Sequence, residues 1–305
     1  MRNSLLRGYF VAALSPLAIL FLLVTISCVL SYGILMIAGD VWSLSKMIKS
    51  LTQLLLVLSI FPLRAYLKLS WADMGFAPKK IFFKQLAIGL SLGILTLLPV
   101  LGLLYLLGVH VLDEAKVWTL GMIVKKTSIS LLLALLISYV EEPIFRGLLL
   151  AGLRQKMAVW AAVVIGAIYY GSLHFLETAI RIPFRDITMS SGFMLFGEAI
   201  RATLNPEVLP AFSGLLMVGV FLNVVRTEVK QSLGLCMGFH ASWVWQIKMS
   251  KDFLNTNFNS PYVYLVSRYD GLVGPLVAAW LLFTILLFLA YRQYHKPSNL
   301  PGFFK

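Results

Sequence analysis

Residues 131–150 read LLLALLISYVEEPIFRGLLL, an apolar run that is interrupted by Glu141, Glu142 and Arg146. A helix needs about 20 mostly apolar residues to cross the hydrocarbon layer, and this run has that length. Each charged side chain at the centre of a bilayer helix costs on the order of 2.5–3.5 kcal/mol, so such residues usually face a bundle interior or a wet cavity. The stretch therefore predicts a membrane-spanning helix that carries buried, functional charges.

The composition of the whole chain supports a membrane protein. Of its 305 residues, 59% are hydrophobic and only 13% are charged, against about 45–50% and about 25% in soluble domains. So few ionic groups could not cover a water-exposed surface, which argues against a soluble enzyme, a nucleic-acid-binding module, a disordered chain or a secreted disulfide scaffold. Cys28 and Cys236 lie in apolar runs, and no Cys-x-x-Cys pair indicates a thiolate metal site.

The apolar runs predict an all-α, polytopic membrane helical bundle of about eight transmembrane helices. No internal repeat or flexible linker divides the chain, so we expect one membrane domain. Within it we distinguish N-terminal helices with a cytoplasmic basic link (1–127), a core (128–249) with an extra segment at 177–207, and a C-terminal loop and last helix (250–305). The predicted spans are 9–38, 50–69, 85–109, 128–152, 157–176, 208–226, 231–249 and 272–292.

The distribution of charge predicts which way the helices run. The net charge is +13, and we interpret the excess as loop lysines and arginines that face anionic lipid. With both termini in the cytoplasm, the inner segments, including Lys296 and Lys305, hold fifteen basic residues and the outer segments eleven. The outer loops hold nine of the thirteen acidic residues. The segment 177–207 is the one long polar insert and predicts an interfacial hairpin or a short surface helix.

The two adjacent glutamates are predicted to differ in role. Glu142 and Arg146 are spaced i,i+4, so they can pair along one helix face. Glu141 is rotated by about 100° and is left facing elsewhere. Pro143 removes a backbone hydrogen bond and should kink or loosen the helix at this point. A purely structural alternative, an internal salt bridge with two satisfied core histidines, would need only Glu142.

Two histidines lie inside other predicted spans. Tyr170 and His174 share one face of the fifth span at i,i+4 spacing, and His240 lies in the middle of the seventh. Two intramembrane histidines together with an uncommitted glutamate indicate a shared site. We therefore predict that Glu141, His174 and His240 converge around one hydrophilic cavity, with their side chains within about 10 Å of one another.

These motifs resemble those of the CPBP family of intramembrane proteases, which includes the type II CAAX prenyl endopeptidases and bacteriocin-processing or self-immunity relatives. Glu141-Glu-Pro-Ile-Phe-Arg146 is similar to the family's Glu-Glu-x-x-x-Arg motif. Tyr170-Gly-Ser-Leu-His174 is similar to the second motif, and His240 begins the third, whose consensus is His-x-x-x-Asn or Asp. The resemblance covers roughly 128–249 and departs from the family at Val244, which stands where the amide or carboxylate is expected.

The resemblance implies a glutamic-type peptidase in which Glu141 is the general base and His174 orients the same water. His240 would donate to the oxyanion, while Glu142, Arg146 and Tyr170 support these three. Because Val244 replaces the family residue, either another polar residue binds the oxyanion or orders the water, or the activity is altered. The candidates for that role are Asn223, Ser242 and Gln246.

A metal-dependent mechanism is the alternative, with Glu141, His174 and His240 as a Zn²⁺ ligand set. We favour no metal, because no His-Glu-x-x-His helix is present and acidic partners for the histidines are not apparent.

Two other functions remain open at this stage. Buried proton-carrying residues also suit a proton-coupled membrane transporter, although inverted repeats and paired broken helices are not evident. A non-catalytic peptide-binding or immunity protein of the same fold is the third alternative. For a protease in a bacterial inner membrane, we expect the partners to be the lipid bilayer and a membrane-bound substrate, not nucleic acid. We rank leader peptides and C-terminal sorting tails above CAAX-type substrates, and the sequence does not indicate an oligomeric state.

Overall fold

The computed structural model describes residues 2–294, with side chains from residue 8 onward. This part of the chain is an all-helical bundle with a single pair of short strands, so the predicted fold class is confirmed. The C-terminal Lys296 and Lys305, which contribute to the predicted charge bias, lie outside the described residues.

Helices make up most of the described chain. In chain order they are α1 Arg2–Ala38, α2 Leu44–Tyr66, α3 Lys79–Leu106, α4 Leu120–Glu142, α5 Leu150–Arg154, α6 Val159–Leu173, α7 Ser191–Thr203, α8 Leu209–Glu228, α9 Leu233–Phe253 and α10 Pro275–Tyr294. Strands β1 (His110–Leu112) and β2 (Leu254–Thr256) pair antiparallel. A π-helical segment, Pro143–Leu149, joins α4 to α5, and short 3₁₀ turns occur at Phe184–Asp186, Pro206–Val208 and Val263–Leu265.

Six helical units in the described chain are long and apolar enough to cross a membrane, so the predicted count of eight is not confirmed. The remaining two predicted spans correspond to α6 and α9. Helix α6 has 15 residues, or about 22 Å, which is shorter than the roughly 30 Å hydrocarbon layer. Helix α9 is long enough, with 21 residues, but Lys248, Lys251 and Asp252 dilute its apolar character.

Pro143 does not end the helix that contains the two glutamates. The chain continues from α4 through the π-helical segment into α5, and the whole unit Leu120–Arg154 counts as one candidate span. A proline cannot donate to the carbonyl four residues earlier, and a wider π turn is one way in which a helix absorbs such a break. The predicted loosening therefore takes the form of a π segment, which carries Arg146.

Helix α9, which carries His240, is pressed against α3 along a seam of small residues. Gly89 and Gly93 of α3 face Gly238 and Ser242 of α9, and Gly234 lies against the first turn of α3. A Cβ atom on Gly238 would lie 2.7 Å from the Cα of Gly89. Small residues at intervals of four allow two helix backbones to approach closely. The seam therefore fixes the position of α9 relative to α3.

Loop contacts gather at two opposite ends of the bundle. We call one the linker end, which contains the linker 67–78 and the turns 155–158 and 229–232. Here the Leu233 backbone N–H donates to the Gly75 carbonyl at 3.0 Å. The other, the strand end, contains the β1–β2 pair and the insert 177–207. This grouping agrees with helices that alternate in direction. The cytoplasmic location of the linker end stays a prediction.

The insert 177–207 forms a short helix, α7, which is one of the two predicted forms. Leu195 of α7 packs into a cluster with Leu35 of α1 and with Leu44 and Met47 of α2. Gly192 of α7 lies directly against Cys28 of α1. The insert therefore covers the strand end of the α1–α2 pair.

The α3–α9 seam predicts that Gly238→Ala destabilises the protein. The added methyl group would meet the backbone of α3, which cannot move aside as a flexible side chain would. We expect a loss of about 1–3 kcal/mol in the free energy of unfolding, which is typical of overpacking. The measurement is a thermal unfolding midpoint in detergent.

Gly102→Ala in α3 is the matched control, because its Cβ would have nothing within 4 Å. It should be neutral, or should stabilise by about 0.5–1 kcal/mol through helix propensity. Equal midpoints for the two variants would contradict the role of the seam.

Candidate active site

The Glu142 carboxylate is the centre of a buried polar cluster. Its side chain is 0% exposed, and Oε1 accepts hydrogen bonds from Arg146 Nη1 at 3.1 Å and from His240 Nδ1 at 2.7 Å. The i,i+4 ion pair with Arg146 is thus present as predicted. The contact with His240 corrects the expectation that neither histidine has an acidic partner. It joins residues 98 positions apart, on α4 and α9.

The contact with Glu142 determines which nitrogen of His240 is free. A carboxylate oxygen only accepts, so His240 Nδ1 carries the hydrogen and Nε2 is left for other partners. Nε2 faces Glu141, whose Oε2 lies 3.9 Å away. This distance is too long for a direct hydrogen bond. Glu141 and His240 therefore face each other without a direct hydrogen bond.

The two adjacent glutamates are unequal in their surroundings. The Glu141 side chain is 29% exposed and Glu142 is fully buried. Glu142 is shared between two donors, whereas Glu141 Oε2 has no hydrogen-bond partner among the described residues. This geometry matches the prediction that Glu142 is paired with Arg146 and that Glu141 faces elsewhere.

The Tyr170 ring connects the remaining members of the cluster. Its centroid lies 4.6 Å from the ring of His174 and 6.1 Å from the ring of His240. The Arg146 guanidinium carbon lies 4.2 Å from the same centroid, which is a cation–π contact. Both predicted histidines and the arginine are thereby gathered against one buried aromatic side chain.

His174 lies immediately after the last residue of α6 and is oriented by the backbone. Its Nδ1 donates to the Tyr170 carbonyl at 2.7 Å, so Nε2 is again the free nitrogen. The Tyr269 hydroxyl donates to the His174 carbonyl at 3.1 Å, from a loop that follows β2. Sequence reasoning missed Tyr269, because nothing near it in the chain indicates that this loop returns to α6.

Of the three residues expected to replace the missing family amide, two form hydrogen bonds between helices. Asn223 donates to the Val163 carbonyl at 2.9 Å, which joins α8 to α6. Gln246 Nε2 donates to the Gly93 carbonyl at 3.0 Å, which joins α9 to α3. The same nitrogen donates to Ser242 Oγ at 3.3 Å within α9. Any role of Asn223, Ser242 or Gln246 at the oxyanion stays a prediction.

The zinc alternative requires the side chains of Glu141, His174 and His240 to surround one ion. Across residues 2–294, no group of three or more His, Cys, Asp or Glu side chains is arranged to hold a metal ion. The described arrangement of Glu141, His174 and His240 therefore does not match a three-ligand zinc site, and the metal-free mechanism stays a prediction.

Residues 123–246 match a family model described as type II CAAX prenyl endopeptidase, Rce1-like. No curated protein and no solved structure shows significant similarity to the chain. The matched region includes Glu141, His174 and His240 and confirms the resemblance to the CPBP proteases. With the six apolar helices, it identifies an integral, multi-pass membrane protein that contains a region of a protease family.

The geometry predicts that Glu142→Gln is far more damaging to stability than Glu141→Gln. Removing the buried charge leaves Arg146 without its counter-charge, which typically costs about 3–5 kcal/mol. Glu141 is partly exposed and forms no direct hydrogen bond with Arg146 or His240, so its replacement should change the unfolding free energy by less than about 0.5 kcal/mol. Yield and thermal midpoint in detergent measure both effects.

A double variant, Glu142→Gln with Arg146→Met, provides the control. It removes both charges of the pair and should recover part of the stability lost in Glu142→Gln. Equal midpoints for Glu141→Gln and Glu142→Gln would contradict the unequal roles.

Proposed function

We propose that the protein is an intramembrane endopeptidase that hydrolyses a peptide bond in a membrane-associated protein or peptide. The observation that carries the proposal is the arrangement of Glu141 opposite the free nitrogen of His240, beside His174 and within helices that match a protease family. A carboxylate and two imidazoles with unoccupied nitrogens supply a base, an acceptor that orients the water and a donor for the oxyanion, which peptide hydrolysis requires.

In the proposed first step, Glu141 takes a proton from a water molecule as that water attacks the peptide carbonyl carbon. The carbonyl π electrons move to oxygen and form the tetrahedral oxyanion. His174 Nε2 accepts the second hydrogen bond of the same water and so orients it, because its Nδ1 is held by the Tyr170 carbonyl. The intermediate then collapses, the C–N bond breaks, and the proton held by Glu141 passes to the leaving amine.

His240 is proposed to stabilise the oxyanion through Nε2. It can donate from Nε2 while Nδ1 remains bonded to Glu142 only if the ring is protonated. The protonated ring balances the charges of the cluster, since two carboxylates then face one guanidinium and one imidazolium. Buried charges are tolerated when they are paired in this way. The Glu142–His240 contact thus supports both the orientation and the charge of the donor.

The proposed substrate is a leader peptide, a C-terminal sorting tail or a CAAX-type C-terminus. The proposed location is a bacterial cytoplasmic membrane with both termini in the cytoplasm. The proposed chemistry acts on a backbone carbonyl, which all three classes of substrate contain.

Glu141→Gln is predicted to abolish cleavage while the protein accumulates normally. The amide keeps the shape of the carboxyl group but cannot take the proton, so the loss falls on turnover more than on substrate binding. General-base catalysis typically contributes about 10²–10⁴-fold in rate. Co-expression with candidate membrane substrates and detection of the product by immunoblot measure the effect.

Glu114→Gln, in the exposed loop before α4, is the matched control and should cleave like the wild type. If Glu142→Gln were well folded and inactive while Glu141→Gln cleaved, the base would be Glu142. A cleavage product also separates the peptidase from the proton-coupled transporter and the non-catalytic binding protein, which yield none. Capture by Glu141→Ala, followed by mass spectrometry, identifies the substrate.

The proposed mechanism uses no metal, and the metal content of purified protein tests this. We expect zinc well below one equivalent by inductively coupled plasma analysis, and cleavage that survives chelation. Stoichiometric zinc whose removal abolishes cleavage, and whose return restores it, would overturn the metal-free mechanism.

A further inference from the structure

The linker end of the bundle has a strong excess of positive charge. Of the thirteen acidic residues, only Asp73 and Glu228 lie there. The strand end holds nine acidic and eleven basic residues, an excess of two. The basic residues of the linker end that the structure describes are Arg64, Lys68, Lys79, Lys80, Lys84, Arg154, Lys156, Arg226, Lys230 and Arg292.

Both carboxylates at the linker end already interact with other residues. The Ser70 hydroxyl and backbone N–H donate to Asp73 at 2.6 and 2.9 Å and lower the pKa of its carboxyl. Glu228 Oε2 lies 3.6 Å from Arg292 Nε. Neither acid is therefore available to the exposed lysines at the start of α3.

The linker that precedes these lysines is held rigidly. Arg226 Nη2 donates to the Asp73 carbonyl at 2.6 Å, and Arg64 Nη1 donates to the Leu69 carbonyl at 3.2 Å. Gly75, with φ +98°, passes directly over the Arg226 guanidinium, where a Cβ atom would collide. The start of α3 is thus a fixed surface and not a loose loop.

Three lysines on this surface stand next to exposed aromatic and aliphatic groups. Lys79, Lys80 and Lys84 are exposed, and none forms an ion pair with any residue in the range 2–294. On the same turns of α3, Ile81 is 51% and Phe83 is 63% exposed. A ligand that contacts both the lysines and these apolar side chains must carry a negative charge next to a hydrocarbon group.

An aromatic chain extends this surface along the linker. The ring centroids of Phe61 and Trp71 lie 6.2 Å apart, those of Trp71 and Phe76 lie 5.5 Å apart, and those of Phe76 and Phe82 lie 6.2 Å apart. The Arg64 guanidinium lies over Trp71 at 4.6 Å. Aromatic side chains beside basic residues are typical of the membrane–water interface.

We propose that Lys79, Lys80 and Lys84 bind the headgroups of anionic phospholipids at the linker end. The neighbouring aromatic residues, from Trp71 to Phe83, form the apolar part of the same surface. The phosphate lies against the lysines, and the acyl chains lie against Ile81 and Phe83. The surface lies outside the Glu141 cluster, and the inference does not depend on the proposed peptidase activity.

The test uses the full-length protein in detergent, titrated with dioctanoylphosphatidylglycerol or dioctanoylphosphatidylcholine while the thermal midpoint is followed. We expect phosphatidylglycerol to raise the midpoint at lower concentration than phosphatidylcholine. Lys79→Gln, Lys80→Gln and Lys84→Gln together should weaken the apparent affinity by about fivefold for each lysine removed. High salt should weaken it in the wild type.

Lys125→Gln, Arg181→Gln and Arg268→Gln together form the matched control, since all three residues are exposed at the strand end. This triple variant should keep the wild-type preference for phosphatidylglycerol. Equal weakening in both triple variants would show an effect of net charge alone and overturn the proposal. An equal response to the two lipids would also overturn it. Inorganic phosphate tests for a soluble anion, and a shift as large as that with phosphatidylglycerol would likewise contradict a lipid site.

Discussion

The buried Glu142 carboxylate is the contact on which the arrangement of the site depends. One oxygen receives Arg146 from its own helical unit and His240 from α9. An isolated carboxylate in such surroundings would be costly, and the two cationic or polar donors make its burial tolerable. Because the same oxygen holds both, the position of Arg146 over Tyr170 and the orientation of His240 toward Glu141 are linked.

The remaining parts of the fold bring helices to this carboxylate. The π segment keeps the chain helical past Pro143, so that Arg146 still faces Glu142. The α3–α9 seam fixes the helix that carries His240, and the α6–α8 contact at Asn223 secures the helix that leads to His174. Helix geometry at Pro143, close packing at glycines and one interhelical hydrogen bond together determine the distances within the cluster.

Local patterns in the sequence predicted the local features of the structure. Apolar length predicted a membrane bundle, and i,i+4 spacing predicted the Glu142–Arg146 pair, because both depend on neighbours in the chain. The Glu142–His240 contact spans 98 positions and has no local signal. The short α6 and the charged end of α9 leave the predicted count of eight spans unconfirmed, because an apolar run does not indicate how long its helix will be. The spacing of the glycines in α9 can be read from the sequence, but the sequence does not indicate that α3 is the helix that packs against them.

The glycine seam also bears on where the functional unit of this protein begins and ends. The region that matches the protease family starts at residue 123, yet α9 of that region rests on α3, which precedes it. Tyr269, which bonds the His174 backbone, follows it. The family-related segment is therefore not a self-contained module that could be transplanted alone. The geometry of the candidate site therefore depends on helices and loops on both sides of the matched region.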